Sequence, residues 1–208
     1  TDQNMTVGRL GAQFSHRSDY GLSGNVTWSQ GLEWFDATKD VDLSGATPLA
    51  QFQKTQFNAN FFKPLNQHVS LSTSIVGQLS DDPLYSSEQI SIGGQYSVRG
   101  FSTVPASGDT GAYIRNDLLF RLSENLGSSW LAKYLPSVSP YLGIDWGWVE
   151  DNALDAQNEM YGVGLGVRVD YGKLSADFGA GIPLYKQVGA FSKKPDKYTR
   201  ISYDLFTY

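Results

Sequence analysis

The chain has 208 residues, with 16 Lys and Arg against 21 Asp and Glu, so its formal net charge is −5. An acidic chain whose basic residues are scattered offers no phosphate-neutralising face, which argues against nucleic-acid binding. The absence of Cys, with only His16 and His68 present, argues against a disulfide scaffold, a zinc site and Cys- or His-based catalysis. We therefore assign no catalytic residue, no metal ligand and no cofactor.

Apolar residues alternate with polar or small residues along most of the chain. Each alternating run predicts a β-strand with one apolar face and one polar or glycine-rich face. The two runs nearest the N-terminus are the weakest. In chain order, nine runs lie at about residues 6–14, 22–30, 56–61, 69–75, 112–122, 141–148, 161–171, 174–182 and 198–208.

The clearest runs are two neighbouring segments near the C-terminus. From Tyr161 to Tyr171 every odd position is Tyr, Val or Leu, whereas the even positions carry Gly, Arg or Asp. The next run repeats this pattern after Gly172 and Lys173, which predict a tight hairpin. Such strands are typical of a barrel wall with one face in lipid and the other on a polar lumen. The predicted fold class is all-β, an antiparallel transmembrane β-barrel in the bacterial outer membrane.

The links between these runs alternate in length, as in outer-membrane barrels with short periplasmic turns and longer external loops. One link breaks the rule, because residues 123–137 form a long connection on the predicted periplasmic side. Within this link we predict a short helix at about residues 130–134. The short links are residues 15–19, 63–67 and 172–173, and the long ones are 33–48, 80–109, 150–158 and 185–197.

Nine strands cannot close an antiparallel barrel, because the first and the last run in the same direction. We therefore expect further strands before Thr1. A miscount by one strand is an alternative, and so is a soluble β-sandwich, whose inner faces alternate in the same way. The sandwich is less favoured because its solvated face would carry more Lys and Glu.

The most specific motif spans residues 87–101 and reads SEQISIGGQYSVRGF. Together with residues 107–116, SGDTGAYIRN, it resembles the signature loop of the outer-membrane insertase and transporter superfamily. The resemblance is strongest to the two-partner secretion branch, the TpsB transporters. The tetrad Val98, Arg99, Gly100 and Phe101 matches the VRG(F/Y) element of that family, and its position in the longest predicted external loop makes the match more specific.

A second motif, GIDWG at residues 143–147, is similar to a G-x-D-x-G pattern in the same family, where the acidic residue meets the loop arginine inside the barrel. Independently, Asp145 falls on the lumen-facing register, and Gly143 and Gly147 leave room for a loop on the same face. Arg99 can present two parallel donors to such a carboxylate. Neighbouring carboxylates on that face are alternative partners: Asp117, Asp170 and Asp177.

The resemblance implies that residues 1–208 are the C-terminal part of a barrel of about sixteen strands, with an in-folding external loop at about residues 80–110. The first strands and the POTRA domains of the family would then lie outside these residues. The implied function is ATP-independent secretion of a partner exoprotein, a TpsA-like cargo, across the outer membrane. Further implied partners are outer-membrane lipids and, during biogenesis, the barrel-assembly machinery, because residues 200–208 resemble its aromatic-terminated signal.

Two other functions are compatible with the same motifs. A barrel-assembly insertase of the same superfamily would share the loop but catalyse the folding of other barrels. A passive porin-like channel would share the barrel but would not depend on the loop. An enzyme is a more distant alternative, because no arrangement of His, Ser and Asp indicates a protease or a phospholipase.

Overall fold

The computed structural model describes residues 4–41, 47–122 and 137–205. Within these residues, no helix has the length and the apolar character needed to cross a membrane. The strands of the described residues are β1 (Thr6–Arg17), β2 (Gly21–Leu32), β3 (Gln53–Pro64), β4 (Val69–Leu79), β5 (Ile90–Ile92), β6 (Ala106–Gly108), β7 (Thr110–Phe120), β8 (Ser137–Asp151), β9 (Ala156–Tyr171), β10 (Leu174–Lys186) and β11 (Asp196–Tyr203).

Nine of the described strands form one antiparallel sheet, in the order β1-β2-β3-β4-β7-β8-β9-β10-β11. This confirms the all-β fold and the nine strands predicted from alternation. The sheet is open within the described residues, where β1 and β11 each pair on one side and run in the same direction. The short strands β5 and β6 pair only with each other, and three residues are too few for an alternation pattern to predict them.

The sheet directs its apolar side chains outward. Leu10, Ile144 and Ile201 are 73, 62 and 66% exposed, whereas Asp145, the neighbour of Ile144, has no exposed surface. An apolar face of this kind suits the interior of a bilayer and is unfavourable in water. The β-sandwich alternative is therefore wrong for the described residues, where the one other sheet is the two-stranded β5-β6 pair.

The link between β8 and β9 is shorter than the sequence predicted. β8 continues to Asp151 and β9 begins at Ala156, so the expected long link at 150–158 is wrong. The Asp151 carboxylate accepts a hydrogen bond from the Leu154 backbone N–H at 3.0 Å, and Asp155 adopts a positive φ of 47°. These two features close a tight turn without further residues. The helix predicted at 130–134 lies outside the described residues, as does Tyr208.

The described residues bury their main apolar cluster on the inner face of the sheet, defined here as the face that carries Asp145. The cluster lies between strands β8 and β9 and the segment that connects β4 with β7. Its buried members are Ile90, Ile92, Val98, Phe101, Val149 and Met160. The lumen of a barrel is ordinarily polar, so this cluster marks the place where a loop covers the wall.

Candidate functional site

Residues 80–109, called the inner loop from here on, connect β4 with β7 and lie against the inner face of the sheet. Strands β5 and β6 form its base. Beyond them, the backbone N–H of Gly94 donates to the Val98 carbonyl at 3.0 Å, and that of Gly93 donates to Ser97 Oγ at 3.0 Å. Gly93 and Gly94 have φ of 103° and 115°, a region that residues with a Cβ rarely enter. The Gly-Gly pair therefore makes the tight turn that precedes Arg99.

Arg99 is fully buried and forms a two-point contact with Asp145 on β8. Its Nε donates to Asp145 Oδ2 at 2.6 Å and its Nη2 donates to Oδ1 at 2.6 Å. The Arg99 backbone N–H also donates to Oδ2, at 3.1 Å. The same carboxylate thus holds both the side chain and the main chain of the loop. This is the bidentate geometry that arginine makes with carboxylates.

Asp117 on β7 is a second carboxylate beside Arg99. Its Oδ1 lies 2.7 Å from Arg99 Nη2 and forms an ion pair, but it is not aligned for a regular hydrogen bond. Burial by itself lowers the pKa of Arg99, but the hydrogen bond and charge of Asp145, with the charge of Asp117, outweigh burial and raise it. Arg99 is therefore positively charged at every physiological pH.

Glycines on the inner face form a cradle for Arg99. A Cβ at Gly143 or Gly164 would overlap the guanidinium group, and a Cβ at Gly162 would overlap the Arg99 carbonyl oxygen. On β10, a Cβ at Gly181 would overlap the backbone N of Gly100. Backbone cannot give way as a flexible side chain can. The glycine positions of three strands, β8, β9 and β10, are therefore what lets the loop lie flat against the wall.

The ring of Tyr141, on β8, supports Arg99 from a further side. The Arg99 Cζ lies 5.9 Å from the ring centroid, and so does the Cζ of Arg168, within the range of a cation–π contact. The Tyr141 hydroxyl donates to Asp177 Oδ1 at 3.0 Å and lies 2.8 Å from the Tyr198 hydroxyl. Tyr141 therefore joins the arginine to the inner faces of β10 and β11.

The two apolar residues of the tetrad are buried on either side of the arginine. Val98 and Phe101 have no exposed surface and belong to the apolar cluster. The ring of Phe101 packs on that of Phe191, in the link between β10 and β11, with centroids 5.5 Å apart. Gly100 between them has a φ of 99°, and a Cβ there would lie 2.5 Å from the backbone N of Pro183. Each position of the tetrad thus has its own steric or electrostatic requirement.

Asp109 fixes the end of the inner loop. Its Oδ1 accepts hydrogen bonds from the Leu84 backbone N–H at 2.8 Å and from Gln89 Nε2 at 3.1 Å. Its Oδ2 accepts from the backbone N–H of Asn152, in the β8–β9 turn, at 2.8 Å. The carboxylate is fully buried, so these donors replace the water that it would otherwise bind.

The structure brings most of the residues singled out in the sequence to one place. Arg99 contacts Asp145, Asp117 is a second partner, and Gly143 lies under the guanidinium. Gly147 faces Val98, since a Cβ there would lie 2.7 Å from Val98 Cγ2. The other two carboxylates considered are engaged elsewhere: Asp170 accepts from Ser175 and Asp177 accepts from Tyr141.

Sequence reasoning missed several residues that shape this site. Gly162 and Gly164 were visible as glycines on the lumen face but not as supports of a loop. Asp109 stood within the motif at residues 107–116 without an assigned role, and Tyr141 carried no local signal; the partners of both are distant in sequence. Among the described residues, no cluster of three or more His, Asp or Glu side chains is placed to hold a metal ion. The centre of the site is the buried ion pair of Arg99 with Asp145 and Asp117.

Comparisons with known proteins agree with one another. The model of the haemolysin secretion/activation protein family ShlB/FhaC/HecB matches residues 1–169. The chain is 31% identical over 187 residues to the outer membrane transporter CdiB of Escherichia coli, covering 88% of this chain and 31% of that protein. It is also 31% identical over 180 residues to the hemolysin transporter protein ShlB of Serratia marcescens, covering 83% of this chain and 30% of that protein.

A solved structure of CdiB from Escherichia coli has the same fold. It superimposes with a TM-score of 0.82 at 29% sequence identity, over 96% of this chain and 36% of that one. The chain thus spans about a third of the length of the relatives that it matches. The open nine-stranded sheet corresponds to part of a transporter barrel.

Proposed function

The chain belongs to the haemolysin secretion/activation protein family of ShlB, FhaC and HecB, and from this we propose that it works in an outer-membrane transporter that secretes a partner exoprotein. Secretion of this kind, two-partner secretion, uses no ATP. The relatives named CdiB and ShlB are transporters by name, which favours this function over the insertase and the passive porin. The proposed role is transport rather than catalysis.

The sheet is an integral part of an outer-membrane β-barrel. We propose that residues 1–208 supply the C-terminal part of a wall of about sixteen strands, and that POTRA domains and the first strands belong to the same protein. The share of the relatives' length that the chain covers supports this division. The parallel direction of β1 and β11 agrees with it, because closure then needs additional strands.

One observation carries the proposal, namely the fully buried contact between Arg99 and Asp145 on the lumen face. A charged pair is costly to bury unless it is fully hydrogen-bonded, and removing one partner of such a pair costs about 3–5 kcal/mol. The bidentate contact supplies both Asp145 oxygens with donors, and Asp117 adds a second negative charge beside the guanidinium. We propose that the pair holds the inner loop in the position that supports the active state of the pore.

The lumen surface beside the loop suits the passage of an unfolded polypeptide. A cavity of about 240 Å³ opens there, lined by polar side chains that include Ser72, Gln95, Arg115 and Arg200. Polar side chains and water can satisfy the backbone of an extended chain. The proposed cargo is a secreted exoprotein of the TpsA kind. Outer-membrane lipids on the outer face, and the barrel-assembly machinery during biogenesis, complete the proposed partners.

The test is to separate export from assembly in the full-length protein. Arg99→Ala should reduce secretion of the partner exoprotein strongly while the amount of heat-modifiable barrel in the outer membrane changes little. Arg17→Ala is the control, because Arg17 lies at an exposed position at the end of β1 and does not line the cavity beside the loop. Equal loss of barrel and secretion in Arg99→Ala would count against a specific role in transport.

The two alternative functions predict different results. For a porin-like channel, deleting residues 87–101 should leave a large ion conductance unchanged. For an insertase, Arg99→Ala should lower the amounts of other outer-membrane barrels in the cell, with no dependence on a secreted partner.

A further inference from the structure

A buried lysine on the same inner face, but nearer the β1 edge of the sheet, also holds the inner loop. Lys54 lies at the start of β3, and its side chain is 3% exposed. Its Nζ lies 2.7 Å from Glu88 Oε2 and donates to the Glu88 carbonyl oxygen at 2.7 Å. Lys54 therefore binds both the side chain and the main chain of Glu88, as Asp145 binds both parts of Arg99.

The surroundings of Glu88 reinforce this contact. Gln78 Nε2 donates to the same Glu88 carbonyl at 3.0 Å, and Arg9 Nη2 lies 3.6 Å from Glu88 Oε1. Arg9, Ser29 and Lys54 are aligned across β1, β2 and β3 in the strand register. The Glu88 side chain is only 14% exposed. The inner face of three neighbouring strands thus presents two cations to one loop carboxylate.

The position of this contact in the sheet differs from that of Arg99. β3 and β8 are separated by β4 and β7, so their inner faces are three strand spacings apart, about 14 Å. Glu88 precedes Arg99 by eleven positions. The inner loop therefore crosses the inner face and is tied to the wall on both sides. A buried ammonium without a partner is unfavourable, which ties the burial of Lys54 to the docked position of the loop.

We propose that Lys54 is a positioning residue that, through Glu88, anchors the inner loop independently of Arg99. Displacement of the loop from the lumen then requires both charged contacts to open. The consequence for export rests on the proposed function, whereas the anchoring itself can be measured without any cargo.

The reporter is a cysteine placed in the loop beside Glu88. The 208 residues contain no Cys, and Ile90 is 8% exposed, so Ile90→Cys should react slowly with a bulky charged maleimide while the loop is docked. The labelling rate is measured in the full-length protein, in cells, together with barrel amount and exoprotein secretion. Each second substitution is compared in this background.

The substitutions separate charge from packing. Lys54→Met keeps the apolar stem and removes the charge, and Glu88→Gln keeps the shape of the loop side chain. Lys54→Arg keeps the charge and the donors. The control is Lys39→Met, because Lys39 forms an exposed ion pair with Glu33, 3.3 Å apart with side chains 62% and 56% exposed.

Lys54→Met and Glu88→Gln should each raise the labelling rate at least about fivefold, and the double variant should show no further increase, because both remove one coupled pair. Lys54→Arg and Lys39→Met should label like the parent. Unchanged labelling in Glu88→Gln overturns the proposal, and so does Lys54→Arg behaving like Lys54→Met. If Lys54→Met fails to assemble, Glu88→Gln decides the question. Raised labelling with normal secretion supports the anchor and contradicts the proposed role of the loop in export.

Discussion

The hydroxyl groups of Tyr141 and Tyr198 lie 2.8 Å apart on the inner face. These residues belong to β8 and β11, which are separated by two strands and do not pair. The contact therefore links strands beyond the ladder of backbone hydrogen bonds. Because the Tyr141 ring also lies beside Arg99, the same residue connects the inner loop with the last strand of the sheet.

Tyr141→Phe should test the hydroxyl separately from the ring. It removes the hydrogen bonds to Asp177 and Tyr198, at a cost of about 1–3 kcal/mol for a buried acceptor left unpaired. We expect a lower temperature for the heat-induced shift of the barrel on a gel, with secretion largely retained. Tyr141→Leu, which also removes the ring beside Arg99, should reduce secretion. Equal secretion defects in the two variants would contradict this division of roles, and Tyr171→Phe, at a 53% exposed residue, is the control.

Gly164→Ala should displace Arg99 without removing any charge. The added methyl overlaps Arg99 Cζ and Nε, and overpacking of this kind costs about 1–3 kcal/mol. We expect secretion to fall toward the level of Arg99→Ala while the barrel still assembles. Gly21→Ala is the matched control, since the nearest atom to its Cβ is the Phe62 carbonyl oxygen at 4.0 Å. Normal secretion by Gly164→Ala would show that the close approach of the arginine is not required.

Asp109→Ala should release the end of the inner loop. The substitution leaves the Leu84 and Asn152 backbone donors and the Gln89 amide without their acceptor, at about 1–3 kcal/mol for each buried group. Hydrogen exchange of the full-length protein should become faster in residues 84–89 and 152–155. Asp81→Ala, at an exposed position of the same link, should leave exchange unchanged. If these residues remain protected from hydrogen exchange in Asp109→Ala, then other contacts fix the end of the inner loop.

Phe191→Ala should loosen the tip of the inner loop from the β10–β11 link. The pair of Phe101 and Phe191 is expected to contribute about 0.5–1.5 kcal/mol beyond the area it buries. We expect faster hydrogen exchange in residues 98–104 and a moderate loss of secretion. Val188→Ala, in the same link and 52% exposed, is the control. If residues 98–104 exchange as slowly in Phe191→Ala as in the parent protein, the packing role of Phe191 is contradicted.

Alternation predicted the strands well because lipid and lumen impose opposite polarity on the two faces of every strand. The run from Tyr161 to Tyr171, with its glycines on one face, lies within β9 with that face inward. The link after β8 was predicted too long, because a turn closed by Asp151 and Asp155 has no apolar pattern. Local pattern predicts which face a residue occupies more readily than where its strand ends.

The candidate site was only partly predictable for a similar reason. Register places Asp117, Asp145, Asp170 and Asp177 on one face, and nothing in the register chooses among them. Which carboxylate pairs with Arg99 depends on the position of that carboxylate along its strand. The inner loop determines the position that Arg99 reaches, through its turn at Gly93 and Gly94. Asp170 and Ser175 instead meet beside the β9–β10 hairpin. Asp109 and Tyr141 depend on partners that fold back from distant segments, so no local pattern predicts their contacts.

The inner loop is longer than its path across the sheet requires. Glu88 is held on β3 and Arg99 on β8, and the ten residues between them include the turn at Gly93 and Gly94. Eleven steps of fully extended chain would reach about 36–40 Å, well beyond the roughly 14 Å between the two strands, so the connection is slack. Slack of this kind lets one charged contact open while the other stays closed, so the inner loop can leave the wall in two steps.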